Sequence, residues 1–330
     1  MKKPKKRTYL NVFATFFALT IIMGGLYIFV AASHASLDYE GPVMLPTKPS
    51  DTWPSWSPDG KSILFQSNRK PDGGVGFSTS TIYKVSSYGG TITHIMDYYD
   101  IAYPAWSPDG KRIAFQAGAQ IYVYTISDKS RNKITLNERD GDQSSWSADS
   151  NYVFFRSERG DTNMDIYKAR YDANPAKAGS HKRVIILKGT DSLPVCSPDG
   201  TKLLFLHKSP TGAINVMVAN ADGSNPHVVF SHNREIDRLS WFPDNDRILI
   251  QLEDIDPDDG CILRIVREST RIVTPLVFSS NHQIWKCTDA VISPDGKKIA
   301  FSATPSGSDG DCIYICNLDG SNLKQVTKAP

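Results

Sequence analysis

The stretch "PSWSPDGK" at residues 54–61 returns as "PAWSPDGK" at 104–111 with a single change. Pro, Asp and Gly in this order predict a tight turn, because Pro presets φ, Asp bonds the backbone ahead of it and Gly accepts a positive φ. Two further close copies of "SPDG" begin at residues 197 and 293, and two weaker copies are "WSADS" at 146–150 and "WFPDN" at 241–245. Each copy has one residue directly before the turn, which we call the anchor residue. The anchor residues are Trp56, Trp106, Trp146, Cys196, Trp241 and Ile292. Successive anchor residues are 40 to 51 residues apart, and a recurrence of this kind indicates a repeat protein.

Each turn is followed by a segment of alternating apolar residues, such as Ile63 and Phe65, which predicts a strand. A third strand follows, as in "IYKV" from residue 82, and a fourth apolar run closes the unit, as in "ITHIM" from residue 92. One such sheet leaves two apolar faces exposed, whereas a ring of sheets covers both. The sequence therefore predicts an all-β fold over residues 51–330, a six-bladed β-propeller of four-stranded antiparallel blades.

The N-terminal residues 1–32 combine a basic cluster with an apolar segment. Five cations lie within residues 2–7, and Tyr9 to Ala32 contains no charge. At ~1.5 Å per residue a helix over this segment reaches ~36 Å, enough to cross a bilayer core of ~30 Å. Cations before an apolar span stay inside, so we expect the propeller on the periplasmic or extracellular face. The small residues at 33–35 leave open whether the span is a transmembrane anchor or a cleaved signal peptide.

The repeat resembles the WD40-like repeat of the TolB propeller family, in which P-x-W-S-P-D-G-K-x-I-x-F precedes an I-Y strand and a D-G turn. The resemblance covers about residues 50–328. It implies a TolB-like envelope component that binds proteins, although the same propeller also forms the lids of peptidases. TolB has an α/β domain before its propeller, whereas residues 33–50 read here as a linker. The roles of that domain are therefore not carried over.

Charge and cysteine spacing argue against a nucleic-acid-binding protein and against a metal site or disulfide formed by Cys312 and Cys316. Without the five N-terminal cations, the body has 32 Lys and Arg against 35 Asp and Glu, so it lacks the basic surface that nucleic acids require. The five cysteines are an odd number, so at least one is unpaired. Cys312 and Cys316 lie ~13 Å apart on a predicted strand, too far for a disulfide or a shared metal. Most of the cysteines are therefore interpreted as buried structural thiols.

Two signals point toward an enzyme. "VSSYGG" at 85–90 approaches a hydrolase nucleophile turn, but Val85 replaces the first Gly and no helix follows, so a hairpin turn fits better. The topology places His207, His232 and His282 on one rim, where they are candidate metal ligands or ordinary solvated histidines. The precedent for a metal there is a resemblance to manganese-dependent lyases of pectate fragments.

A more regular signal is an Asp three to six residues before every anchor residue. These residues are Asp51, Asp100, Asp142, Asp191, Asp237 and Asp289. In a propeller this location is the mouth of the central channel, where the carboxylates would focus a negative potential. The hypothesis is that the mouth binds a cationic partner segment or a divalent cation. The alternative is that each Asp caps the incoming strand.

Aromatic residues accompany these acids. Tyr98, Tyr99 and Tyr103 are placed before blade two, and Trp285 before blade six. Tyr and Trp favour interfaces because they combine apolar area with a polar group. They are predicted contact residues, with packing between blades as the alternative.

Together these patterns favour a non-enzymatic, membrane-tethered or released propeller that binds an envelope protein or peptide at its channel mouth. The alternative is a metal-dependent lyase or hydrolase acting on an extracellular polysaccharide. A third interpretation is a sensory or assembly subunit whose partner helix meets Tyr9 to Ala32 within the membrane.

Overall fold

The computed structural model of the chain describes residues 48–70, 79–135, 142–158, 164–171, 181–253, 262–276, 284–308 and 310–328. These residues form six four-stranded antiparallel sheets, each built from four strands consecutive in the chain. The predicted all-β fold with six four-stranded blades is confirmed. We number the sheets as blades 1 to 6 in chain order.

The first three blades occupy the N-terminal half of the ring. Blade 1 contains β1 (Asp51–Trp56), β2 (Ser62–Ser67), β3 (Thr79–Ser86) and β4 (Thr93–Tyr99). Blade 2 contains β5 (Ile101–Trp106), β6 (Arg112–Ala117), β7 (Gln120–Thr125) and β8 (Arg131–Lys133). Blade 3 contains β9 (Asp142–Trp146), β10 (Tyr152–Ser157), β11 (Asp165–Arg170) and β12 (His181–Arg183).

The other three blades complete the ring. Blade 4 contains β13 (Thr190–Cys196), β14 (Lys202–Lys208), β15 (Ile214–Asn220) and β16 (His227–His232). Blade 5 contains β17 (Ile236–Trp241), β18 (Arg247–Leu252), β19 (Leu263–Arg267) and β20 (Val273–Leu276). Blade 6 contains β21 (Ile284–Ile292), β22 (Lys298–Pro305), β23 (Cys312–Asn317) and β24 (Lys324–Gln325).

The first strand of every blade is the innermost strand. β1, β5, β9, β13, β17 and β21 each contact the first strand of both neighbouring blades, so they surround a common axis. Blade 6 meets blade 1 directly, because the Asp51 N–H donates to the Asp311 carbonyl over 2.9 Å. The ring is therefore closed by contact between two complete blades.

The core is divided among the six junctions between blades. Each of the six buried apolar clusters combines side chains of two neighbouring blades. On β2, Ile63, Leu64 and Phe65 are all fully buried, so both faces of the strand are covered. Burial at roughly 25 cal/mol per Å² of apolar surface makes this stacking the main stabilising term of the ring. The predicted burial of both sheet faces is confirmed.

The tight turns have the geometry that their sequence predicts. Gly60 has a φ of 68°, a conformation that favours glycine. The Ser57 hydroxyl donates to the Asp59 carboxylate over 2.6 Å and accepts the Ser62 N–H over 2.9 Å. The same Ser–Asp bond recurs in blades 2, 3, 4 and 6. Ser57 and the Lys61 N–H lower the pKa of Asp59, so the turn favours the carboxylate form.

In blades 2, 3 and 6 the fourth strand ends earlier than the apolar run predicts, whereas in blades 1 and 4 it extends beyond that run. In blade 3 the ladder ends at Arg183, before the apolar run "VIIL". The N–H groups of Val184 and Ile185 both donate to the Ile166 carbonyl, over 2.8 and 3.3 Å, which breaks the register. Both side chains turn inward and are buried. The apolar run therefore closes the junction with blade 4 and does not extend the outer strand.

Two further predictions concern the N-terminal apolar segment and the cysteines. The apolar segment Tyr9 to Ala32 lies outside the described residues, and within those residues no helix is long and apolar enough to span a membrane. Cys287 is disulfide-bonded, while Cys196, Cys312 and Cys316 are free. Burial raises the pKa of the Cys316 thiol to about 12, which keeps it protonated and inert. The prediction of at least one unpaired cysteine is confirmed.

Candidate functional site

The innermost strands place one residue of each blade in a belt around the axis. This axial belt consists of the residues three positions before the anchors: Trp53, Tyr103, Gln143, Leu193, Arg238 and Asp289. Several neighbours touch across blade boundaries. The rings of Trp53 and Tyr103 stack at 4.5 Å, and the Leu193 N–H donates to Gln143 Oε1 over 3.0 Å. The belt therefore links successive blades beside the channel.

A β-bulge in the innermost strand sets the conformation of the belt. In blade 1, Thr52 pairs with Gln66 and Ser55 with Leu64, so Trp53 and Pro54 share one opposite residue, Phe65. Belt residues with left-handed φ values of 51–60° occur in five blades: Trp53, Tyr103, Gln143, Leu193 and Asp289. Because such a φ costs non-glycine residues about 1–3 kcal/mol, the surrounding packing must hold it in place.

Blade 5 differs from the other five blades at this point. Its register shift falls between Ile236 and Arg238, so the extra residue is Asp237. Ile250 occupies the position that a fully buried Phe occupies in the other blades. Arg238, the belt residue of this blade, consequently lacks the left-handed φ of its counterparts.

The anchors and tight turns of all six blades surround an open cavity at the axis, which we call the turn-side funnel. Its volume is about 390 Å³. The lining includes the six anchor residues and the turn residues Pro58, Pro108, Ala148, Pro198, Pro243 and Pro294. The indole N–H groups of Trp56, Trp146 and Trp241 donate to backbone carbonyls of the preceding blade over 3.1–3.3 Å. These bonds hold the aromatic wall of the funnel in position.

A smaller cavity of about 130 Å³ lies deeper along the axis, and we call it the inner chamber. Gln143, Ser144, Ser145 and Ser240 contribute polar groups to its wall. Arg238 lines both the chamber and the funnel. The hydroxyls of Ser144 and Ser145 are buried and have no hydrogen-bond partner among the described residues.

Arg238 supplies the charge of this site. Within the described part of the chain its guanidinium has no hydrogen bond or ion pair. The charge of Arg238 acts on Asp289, the other ionisable residue of the belt. Burial raises the pKa of Asp289, while the charge of Arg238, a Thr288 hydrogen bond and the Trp53 backbone oppose the rise. Asp289 lines neither cavity, so a molecule in the chamber would meet the cation alone.

The six predicted acids are distributed among different environments. Asp51 is fully buried and paired with Arg69, and Asp191 is fully buried and accepts from His207 Nδ1 over 2.8 Å. Burial raises the pKa of Asp191, against the opposing effect of His207. Asp100 and Asp237 are exposed, Asp289 is buried in the belt, and the Asp142 side chain lies outside the description. The six do not form a ring of solvent-exposed carboxylates, and their binding role stays a prediction.

The aromatic residues predicted as contact residues also lie in different environments. Tyr98 packs against Phe115 and Tyr122 at the junction of blades 1 and 2, whereas Tyr99 is 73% exposed. Tyr103 belongs to the axial belt. The Trp285 side chain lies outside the description.

The candidate metal ligands do not come together in the described region. His207 is bound to Asp191, and burial with the charges of Arg234 and Arg264 lowers the pKa of His232. His282 lies outside the described residues. Within the described ranges there is no group of three or more His, Cys, Asp or Glu residues that would hold a metal ion.

Sequence reasoning identified Asp289 and Tyr103 of the belt but missed Arg238, Ser144 and Ser145. One signal for Arg238 was available, because aligning the units on their anchors gives one cation at a position otherwise held by aromatic, amide, aliphatic and acidic residues. The serines had no such signal, since their burial depends on contacts with the neighbouring blade.

Six four-stranded sheets closed around an axial cavity define a six-bladed β-propeller. The TolB beta propeller domain family matches residues 96–288, and the chain belongs to this family. No curated protein matches the sequence.

Solved structures share the fold at low identity. TolB from Acinetobacter baumannii aligns with a TM-score of 0.57 and 20% identity over 68% of this chain and 53% of that chain. The putative TolB from Agrobacterium tumefaciens gives 0.60 and 14% over 72% and 84%. Oligogalacturonate lyase from Vibrio parahaemolyticus gives 0.55 and 14% over 86% and 79%. The chain thus spans about half of the Acinetobacter TolB, and the likeness concerns the fold.

Proposed function

We propose that the protein is an exported, non-enzymatic propeller that binds an extended segment of another cell-envelope protein in its turn-side funnel. The carrying observation is the funnel itself, an axial cavity of about 390 Å³ with walls from all six blades. This volume lies in the range of about 300–1,000 Å³ typical of ligand sites. A rigid ring that presents Trp and Pro side chains offers large apolar contacts at little entropic cost.

A third cavity extends the funnel outward between blades 1 and 6. This radial groove has a volume of about 450 Å³ and shares Trp56, Pro58 and Pro294 with the funnel. Its outer part includes Tyr88, which is 72% exposed, and the two lysines Lys61 and Lys298. The combined shape fits an extended chain that leaves the axis along the groove, and the exposed Tyr supplies the type of residue common at protein interfaces.

Export and attachment to the membrane through Tyr9 to Ala32 form part of the proposal. The disulfide at Cys287 supports an oxidising compartment, where such bonds persist. Membership of the TolB propeller family supports the envelope as the setting.

Site-specific photocrosslinking in the producing cell tests the proposal. A photoreactive residue replaces Tyr88 in one variant and Tyr99 in the other, because the two are equally exposed, at 72% and 73%, but lie at opposite faces. We expect one discrete crosslinked partner at position 88 and none at position 99. A partner at position 99 alone would place binding at the opposite mouth, and crosslinks at neither position would contradict the proposed function.

A further inference from the structure

The inner chamber combines three features that an empty structural void lacks. Its wall includes Arg238, whose guanidinium has no hydrogen bond or ion pair to the described residues, and Ser144 and Ser145, whose buried hydroxyls have no hydrogen-bond partner there. It also has space, since its volume of about 130 Å³ far exceeds the ~10–15 Å³ that one water needs. Buried polar groups normally have partners, and a group without one indicates a ligand or ordered water.

The charges of the site select the ligand. Arg238 is the one charged residue that lines the funnel or the chamber within the described ranges. A cationic ligand would be repelled there. A dianionic phosphate would keep one uncompensated charge in surroundings of Trp and Pro side chains, which is costly. A single carboxylate matches the single cation.

The geometry of the side chains also fits a carboxylate. Arginine presents paired N–H donors that bind both oxygens of a carboxylate, and hydroxyl groups donate further bonds. The interaction strengthens where water is excluded, as at the base of a funnel with an aromatic wall.

We propose that the inner chamber binds a carboxylate of the partner segment through Arg238, with Ser144 and Ser145 as additional donors. This inference rests on the proposed function and names the group that the funnel recognises. The carboxylate belongs either to the C-terminus of the segment or to an Asp or Glu side chain. Both sources offer the same planar, singly charged group.

Three N-acetylated pentapeptides of Ala and Pro distinguish these sources by isothermal titration calorimetry. The first has a free C-terminus, the second a C-terminal amide and one Glu, and the third a C-terminal amide and Gln in place of Glu. We expect at least one of the carboxylate peptides to bind at least tenfold more tightly than the neutral peptide. Preference for the first assigns the C-terminus, and preference for the second assigns an acidic side chain.

Variants then test the residues. Arg238→Gln is expected to reduce the affinity of the preferred peptide at least tenfold, to that of the neutral peptide. Arg238→Lys should bind more tightly than Arg238→Gln but less tightly than the unaltered protein, because Lys supplies the charge without the paired N–H donors of Arg. Ser144→Ala and Ser145→Ala should each weaken binding about two- to tenfold. Arg271→Gln, at an exposed site outside the funnel, is the matched control and should bind like the unaltered protein.

The outcomes separate the two proposals. Equal affinity for all three peptides, or unchanged affinity in Arg238→Gln, would overturn the carboxylate site and leave the funnel as a binding surface. If no peptide binds at millimolar concentration and position 88 yields no crosslink, the proposed function fails as well.

Discussion

Blades 1 and 5 share the tight turn and the indole hydrogen bond, but they use their arginines differently. In blade 1, Arg69 is 8% exposed, is paired with the buried Asp51 and lies over the rings of Phe65 and Tyr83. In blade 5, Arg238 reaches the axis and has no hydrogen bond or ion pair to any residue in the described ranges. One arginine completes a structural pair, whereas the other is available to a ligand.

Blade 5 also departs from the repeat around Arg238. Blade 5 has Ile250 where blade 1 has Phe65, and its extra residue lies at Asp237 and not at the belt position. The repeated residues build the ring, and the blade that deviates supplies the charge at its centre. Deviations from a repeat are therefore the positions at which to search for function in this protein.

The largest expected contrast is between the two arginines. Arg69→Gln should lower the free energy of unfolding by about 3–5 kcal/mol, because the fully buried Asp51 carboxylate loses its counter-charge. Arg238→Gln should change it by no more than about 0.5 kcal/mol. Urea unfolding followed by circular dichroism measures both. Equal losses would mean that Arg238 is also a structural residue.

A smaller contrast concerns the second-strand position that faces the bulge in blade 1 (Phe65) but pairs with Leu239 in blade 5 (Ile250). Ile250→Phe introduces the residue of the other blades into a fully buried site, and overpacking should cost about 1–3 kcal/mol. Ile250→Val, the control, should cost about 0.5–1.5 kcal/mol. A neutral Ile250→Phe variant whose crystal structure shows the bulge at Arg238 would instead mean that Phe induces the bulge.

The indole hydrogen bonds should contribute equally to the stability of blades 1 and 5. The indole of Trp56 donates to Val291 over 3.3 Å and that of Trp241 to Val195 over 3.1 Å, in both cases across a blade junction. We expect Trp56→Phe and Trp241→Phe each to lose about 0.5–1.5 kcal/mol from the hydrogen bond. The measurement is the midpoint shift in urea. A loss confined to one variant would show that the two junctions are not equivalent.

The smallest expected effect is at the tight turns. Ser57 hydrogen-bonds Asp59 in blade 1, whereas Arg247 bonds Asp244 in blade 5. Ser57→Ala should raise the pKa of Asp59 toward its ordinary value of 3.8 and leave the pKa of Asp244 unchanged. Carbon-detected NMR titration of the carboxyl groups measures both. If the pKa of Asp59 were the same in Ser57→Ala, the Ser57 hydrogen bond would not be the cause of its low value.

The sign of the pH dependence follows from this shift. The folded pKa of Asp59 is below its unfolded value, so its stabilising contribution is present above about pH 3.8 and is lost as pH falls through the folded pKa. The difference in thermal stability between the unaltered protein and Ser57→Ala should therefore narrow on acidification. If this difference in thermal stability instead widened on acidification, the sign assigned to the contribution of Asp59 would be wrong.

Much of the ring could be predicted because its signals are local. The Pro, Asp and Gly of each turn constrain their own backbone, and the alternation after Gly60 depends on neighbouring residues alone. The outer strands were less predictable. The apolar Val184 and Ile185 look like strand residues, but their burial against blade 4 ends the ladder before them.

The candidate site was less accessible because its contacts join distant parts of the chain. The sequence places Asp51 and Asp191 at the start of first strands, but their partners Arg69 and His207 are 16–18 residues away. An acid at a strand end therefore looked like part of a channel mouth, whereas the fold buries these two carboxylates beside a cation or a histidine.

The amino-acid sequence by itself determined the number of blades, the location of the turns and the identity of the strands, since each depends on short-range backbone preferences repeated six times. Only the tertiary structure decided which side chains face the axis. An extra residue in the innermost strand reverses side-chain direction after it, and in blade 5 that extra residue is Asp237 and not the belt residue. For this reason Arg238 and its chamber became visible only once the ring had closed.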